Sequence, residues 1–224
     1  TLFVLYGLFG YCIWPTTKSE DNIFLHGIGW WYAILCLFNS LWIITFVQGN
    51  DTAVWFSTIL IIGLLFCLCK IYININAWKR KHSGGFLQRC ISTLLFDVHF
   101  SMYAGWVTVA TIVNISVALT TTGWDGKPFT DSALTVIMLC VALFLNSYIV
   151  ITREDCVWGF VLSWASAWIA DANTDDKTIN TGAIVISSII GVISTLMTAK
   201  VLHATCVSRN SVEDKKMLLS TGTA

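Results

Sequence analysis

Proline and charge are the scarce materials of this chain. Two prolines occur in 224 residues, and both, Pro15 and Pro128, fall between apolar runs, so no run is broken from within. Charged residues make up 12%, with 13 Lys and Arg against 13 Asp and Glu, a formal net charge of zero. That balance gives no reason to expect nucleic acid or a strongly acidic partner. No nucleophile elbow, phosphate loop, metalloprotease helix or pair of intramembrane carboxylates is present, so nothing points to hydrolysis or phosphoryl transfer. Thr1 opens inside an apolar run with no initiator methionine and no charged leader. Further residues, a signal or another helix, are therefore expected upstream.

Apolar side chains are abundant: 56% of residues are hydrophobic and the mean hydropathy is +0.72. A soluble domain of this size cannot cover so much apolar surface. The runs are long and continuous rather than alternating, which predicts helices and not a barrel. Seven candidate spans follow, at 1–14, 27–47, 54–74, 96–121, 131–151, 156–170 and 178–203. The fold class is thus all-α, a polytopic helical membrane protein of about seven transmembrane helices. It forms one transmembrane domain over 1–207, followed by a cytoplasmic C-terminal tail, 208–224.

Charge placement orients these spans. Lys18, Lys70, Lys79, Arg80, Lys81, Arg89, Arg153, Lys200, Arg209, Lys215 and Lys216 fall on one side, and only Lys127 and Lys177 on the other. Eleven of thirteen basic residues on one face predicts a cytoplasmic C-terminus in a multi-pass protein. None of the eight cysteines lies in an outside loop, so they read as small packing residues rather than a disulfide framework. Asn50-Asp51-Thr52 forms a glycosylation sequon on the predicted outside, in a loop short enough to hug the membrane.

Eleven tryptophans exceed what interfacial belts require, because several lie deep within apolar runs. In the span 96–121, Tyr103, Ala110 and Asn114 fall on one helical face, flanked by Trp106 and Ala118. An amide at bilayer depth must face another helix or a cavity. The face therefore reads either as helix packing glued by one amide, or as a pocket for a flat apolar ligand, with rings stacking and Asn114 orienting it. Trp31, Leu35, Asn39 and Trp42 form a second such face in the span 27–47. Trp164 and Trp168 lie one turn apart in 156–170. Asp97 and His99 diverge on a helix and lack a third ligand, which favours solvation or capping over metal or tetrapyrrole ligation. Lys200 lies too near a helix end, without an intramembrane counter-ion, to hold retinal.

Phe100-Ser101-Met102-Tyr103-Ala104-Gly105-Trp106-Val107-Thr108-Val109-Ala110-Thr111-Ile112-Val113-Asn114, followed by Gly123-Trp124-Asp125-Gly126, resembles the larger relatives of the TspO/translocator-protein (tryptophan-rich sensory protein) family. Gly29-Trp30-Trp31 with Cys36, Asn39-Ser40 and Trp42, then Arg153-Glu154-Asp155 with Trp164-Ala165, are similar to further segments of those relatives. His99 stands where the family motif opens on proline, and the tryptophan–proline–proline loop of core members is not found in these residues. The resemblance implies a membrane protein that binds hydrophobic molecules, porphyrins or sterols, in a tryptophan-lined cavity between helices. It carries that role onto Trp31, Asn39, Trp42, Tyr103, Trp106, Asn114 and Trp164. Core members have five spans.

The expected function is therefore non-enzymatic binding or translocation of a hydrophobic small molecule: a tetrapyrrole, a sterol or a bound lipid. No metal site or obligatory cofactor is expected, and the partners are membrane lipids, the apolar ligand and membrane subunits. Two alternatives stand beside it: a structural accessory subunit of a larger membrane complex, and a proton-coupled transporter using Asp97 and His99.

Overall fold

The computed structural model describes residues 28–81, 96–121, 123 and 130–221, with backbone only at 78–81 and 208–221. Six helices and no strand occur among these residues: α1 Gly29–Phe46, α2 Asp51–Lys81, α3 Val98–Thr121, α4 Asp131–Arg153, α5 Cys156–Ala172 and α6 Lys177–Thr221. Five of them are long and apolar enough to cross a membrane, and the chain is a multi-pass helical membrane protein in type. Among the described residues the spans of that length number five, against about seven expected over the whole chain. The first expected span, 1–14, lies outside the described residues. The helix α5 has 17 residues, a rise of about 26 Å against a hydrocarbon core of about 30 Å. It is held to that length because Asp155 caps its start, accepting from Val157 N at 3.2 Å, and Asn173 N closes its end on Ala170 O.

The chain divides into two compact units, Thr1–Met138 and Leu139–Ala224. In the first, α2 packs on both α1 and α3. Half of the apolar span of α2 is buried, against 6% of that of α1, so α2 is the central helix. Its Val54, Ile61, Leu64, Leu68, Ile71 and Ile75 form a buried stripe at the three- and four-residue spacing of one helical face. The buried side of α3 is mostly small: Ser101, Ala104, Gly105, Thr108, Thr111 and Ala118. Thr108 and Thr111 return their hydroxyl protons to the carbonyls of Ala104 and Val107, at 2.8 and 2.7 Å, which is how they tolerate burial. Between α1 and α2 the chain turns at Gly49, whose φ of 66° suits a residue without Cβ. Asn50 then caps α2, its Oδ1 accepting from Ala53 N at 2.9 Å.

In the second unit, α5 and α6 form an antiparallel hairpin. Gly159 lies so close to α6 that a Cβ there would overlap Ser194 Oγ. One turn on, Ser163 Oγ donates to Ser187 O at 2.9 Å and Ser187 Oγ to Ser163 O at 2.8 Å. A Cβ on Gly191 would stand 3.0 Å from Ser163 Oγ. Leu139 and Leu143 of α4 pack with Ala170 and Ile169 of α5 and with Ala183 and Ile186 of α6. The turn after α5 is bound by Asp176 Oδ1, which accepts from Thr178 N and Ile179 N, and by Asn180 Nδ2, which donates to Ala170 O. Lys200 of α6 makes an ion pair with Glu154 at 2.8 Å. The C-terminal helix continues through Thr221, into the region read as a solvated tail.

Among the described residues, Cys67 is the one cysteine that is fully buried, as the reading of the cysteines as packing residues expects. Cys69 and Cys156 are partly buried, while Cys36, Cys140 and Cys206 are exposed free thiols. Cys12 and Cys90 lie outside the described residues.

Candidate functional site

The amide of Asn114 is the point where the first unit is tied together. Trp42 Nε1 of α1 donates to Asn114 Oδ1 at 3.0 Å. Asn114 Nδ2 donates to Ser57 Oγ at 3.1 Å and to Thr58 Oγ1 at 2.7 Å, both on α2. Those two hydroxyls send their own protons to Val54 O, at 2.7 and 2.9 Å, and so face the amide with lone pairs. An indole N–H can only donate, which fixes the amide's orientation: its oxygen must face Trp42 and its nitrogen the hydroxyls. Both N–H groups and one oxygen lone pair are thereby engaged by protein, and Asn114 is 1% exposed. In an apolar interior this satisfaction is what makes the amide tolerable.

A second polar link lies nearer the start of α3, where Tyr103 OH donates to Asn39 Oδ1 of α1 at 3.1 Å. Asn39 is half-buried, as are Trp31, Trp42 and Tyr103. Trp31 meets Phe66 of α2 edge-on, with ring centroids 5.9 Å apart. Phe38 lays its ring over Gly63 of α2, 3.0 Å from where a Cβ would stand. Tyr32 and Cys36 stand one helical turn apart on the same stretch of α1. The α1–α3 face thus carries three large rings and one amide that is not deeply buried.

Of the seven residues singled out, the structure brings together Trp42 with Asn114, and Asn39 with Tyr103. Trp31 shares the α1 face and packs on α2. Trp106 is not part of this grouping: it is 44% exposed and shares the outward side of α3 with Met102 and Val113. Trp164 stands on α5 in the second unit, 55% exposed. The residues that sequence reasoning missed are Ser57 and Thr58, which receive the Asn114 amide. Two adjacent hydroxyls in the middle of the apolar run 53–69 were the available signal. Among the described residues no cluster of three or more His, Cys, Asp and Glu is placed to hold a metal ion, and Asp97 with His99 gains no third ligand there. Lys200 is engaged with Glu154.

No curated protein and no solved structure matches the chain significantly. The model of the TSPO-like protein family matches residues 2–197, nearly all of the chain and every element just described except the end of α6. The chain belongs to the TSPO-like protein family.

Proposed function

We propose that this protein is a non-enzymatic membrane receptor or carrier that binds a flat hydrophobic molecule, a tetrapyrrole, sterol or similar lipid, against the α1–α3 face. The observation that carries this reading is Asn39. Its oxygen is held by Tyr103, while its amide nitrogen has no protein partner among the described residues. A half-buried donor between two tryptophans on one helix face suits an apolar ligand that ends in a carbonyl, carboxylate or hydroxyl. In this reading Trp31, Trp42 and Tyr103 stack on the ligand and Asn39 fixes its polar end. Asn114 acts as a positioning residue that holds Trp42. Trp106 and Trp164, exposed on α3 and on α5, carry no assigned ligand contact in this reading. The basic side, with the C-terminus, faces the cytoplasm.

Protoporphyrin titrated into the full chain in detergent should quench tryptophan fluorescence saturably, and Asn39→Ala should weaken that binding about fivefold, as expected for one lost hydrogen bond. Saturable quenching that is identical in Asn39→Ala and Trp42→Phe would remove the site. The second reading, a structural subunit of a larger assembly, is favoured by the Asn114 amide, whose bonds all go to neighbouring helices. It predicts copurification with stoichiometric membrane partners in mild detergent, and an isolated chain that responds to ligand counts against it.

A further inference from the structure

The seam between α5 and α6 carries a groove that the α1–α3 face does not involve. Because Gly159, Ser163, Ser187 and Gly191 draw the two helices together with little side chain between them, the outer side of the seam is left hollow. One hollow of about 480 Å³ is lined by Ser163, Ser188, Gly191, Val192 and Leu196, among others. A second, of about 350 Å³, includes Ala167, Asp171, Thr174, Asn180 and Ile184. Both include Ser187 and Ser188, so the two hollows adjoin along the groove. From Asn180 to Leu196 it follows α6 for about 24 Å at the helical rise, most of a hydrocarbon core of about 30 Å.

The chemistry of this groove is unequal along its length. Ser163 and Ser187 donate to each other's carbonyls, Ser188 Oγ to Ile184 O and Thr195 Oγ1 to Gly191 O, each of the last two at 2.8 Å. With those hydroxyl protons engaged, the walls presented by Ile184, Val192 and Leu196 set an apolar character. The far mouth is different. It lies where α5 ends and α6 begins, and it is bordered by the exposed carboxylate of Asp171 beside Thr174. No cation pairs with Asp171 among the described residues, and Asp175 adds a second exposed carboxylate on the following turn. Hollows of this volume match a small molecule or one hydrocarbon chain, whereas a partner protein needs a much broader surface.

We infer that the groove holds the hydrocarbon chain of a membrane amphiphile with an ammonium head, the chain lying along Ser188, Gly191 and Val192 and the head at Asp171. Attraction to Asp171 selects the cation, and the same carboxylate repels an anionic head. This site is independent of the α1–α3 face and stands or falls without it.

The test uses the full chain in nanodiscs of zwitterionic lipid, with spin-labelled stearylamine and spin-labelled stearic acid as probes read by electron paramagnetic resonance. The amine should show a saturable, motionally restricted component held about fivefold more tightly than the acid, the span of an exposed ion pair. Asp171→Asn should erase the difference between the probes while leaving a restricted component. Ser188→Phe, which fills the groove where the two hollows join, should remove that component for both. Val192→Phe, at an exposed wall position, repeats the test should Ser188→Phe lose helical content. Equal binding of amine and acid to the unaltered chain overturns the inference. So does a restricted component that survives both phenylalanine variants, or an Asp171→Asn protein that keeps the amine preference.

Discussion

The two units of this molecule solve the same problem by opposite means. Lipid gives helices no hydrophobic reason to associate, so packing and hydrogen bonds must do it. In the first unit large polar side chains reach across: Trp42 to Asn114, Asn114 to Ser57 and Thr58, and Tyr103 to Asn39. In the hairpin of α5 and α6 the side chains nearly vanish, and Gly159, Ser163, Ser187 and Gly191 let one backbone approach the other. The first device is specific, because an amide has one orientation that satisfies it. The second is steric and has no room for growth. It follows that the two units should respond to different insults.

The largest effect should come from adding volume to the hairpin. Gly159→Leu forces a side chain onto Ser194 Oγ and to within 2.9 Å of Val150 Cγ2, and should destabilise the protein by about 3 kcal/mol, read from unfolding in a denaturing detergent series. A loss below half of that would mean the hairpin yields, and the contrast with the first unit would fail. Next, Asn114→Ala removes the partner of Trp42 and of both hydroxyls, and should cost about 2 kcal/mol. A double-mutant cycle with Trp42→Phe should give a coupling of roughly 0.6–1.7 kcal/mol. Strict additivity would show that the bond in the structure contributes nothing. Tyr103→Phe should cost about 1 kcal/mol, accompanied by a change in Tyr32 and Asn39 side-chain signals rather than in global fold. The smallest effect belongs to the paired change Ser163→Ala with Ser187→Ala. Both hydroxyls disappear together, the carbonyls they reached keep their helical partners, and the close approach is preserved, so a shift below about 1 kcal/mol is expected. If that pair proves as damaging as Asn114→Ala, hydrogen bonding and not shape holds the hairpin.

How much of this was legible beforehand follows from what each feature depends on. The helices were, since apolar runs and punctuating residues act locally: the run 131–151 became Asp131–Arg153, and 27–47 became Gly29–Phe46. The ends that moved most are those where charge interrupts the run without breaking the helix, as at Lys79, Arg80 and Lys81 in α2. That Asn114 must meet a partner was also legible, from the price of a bare amide in lipid. Which partner was not, because Ser57 and Thr58 reach it only through the rotation of α2 relative to α3, and no periodicity within either helix encodes that angle. The same limit explains Trp106. Its spacing places it beside Asn114 on a helical wheel, yet the buried arc of α3 is centred on Ala104, Thr111 and Ala118 and leaves the indole outward. The close seam of the hairpin left a fainter trace still, a few small residues at four-residue spacing in chains already rich in small residues.

The order of the helices gives the Asn114 network a meaning during synthesis. The helix α2 follows α1 in the chain and packs on it, and α3 follows α2 and packs on it in turn, so each helix meets its neighbour as it emerges. A chain made from its N-terminus delivers Trp42, Ser57 and Thr58 to the membrane before Asn114 arrives. The amide is therefore the last of the four to enter, and it enters a site already furnished with one donor and two acceptors.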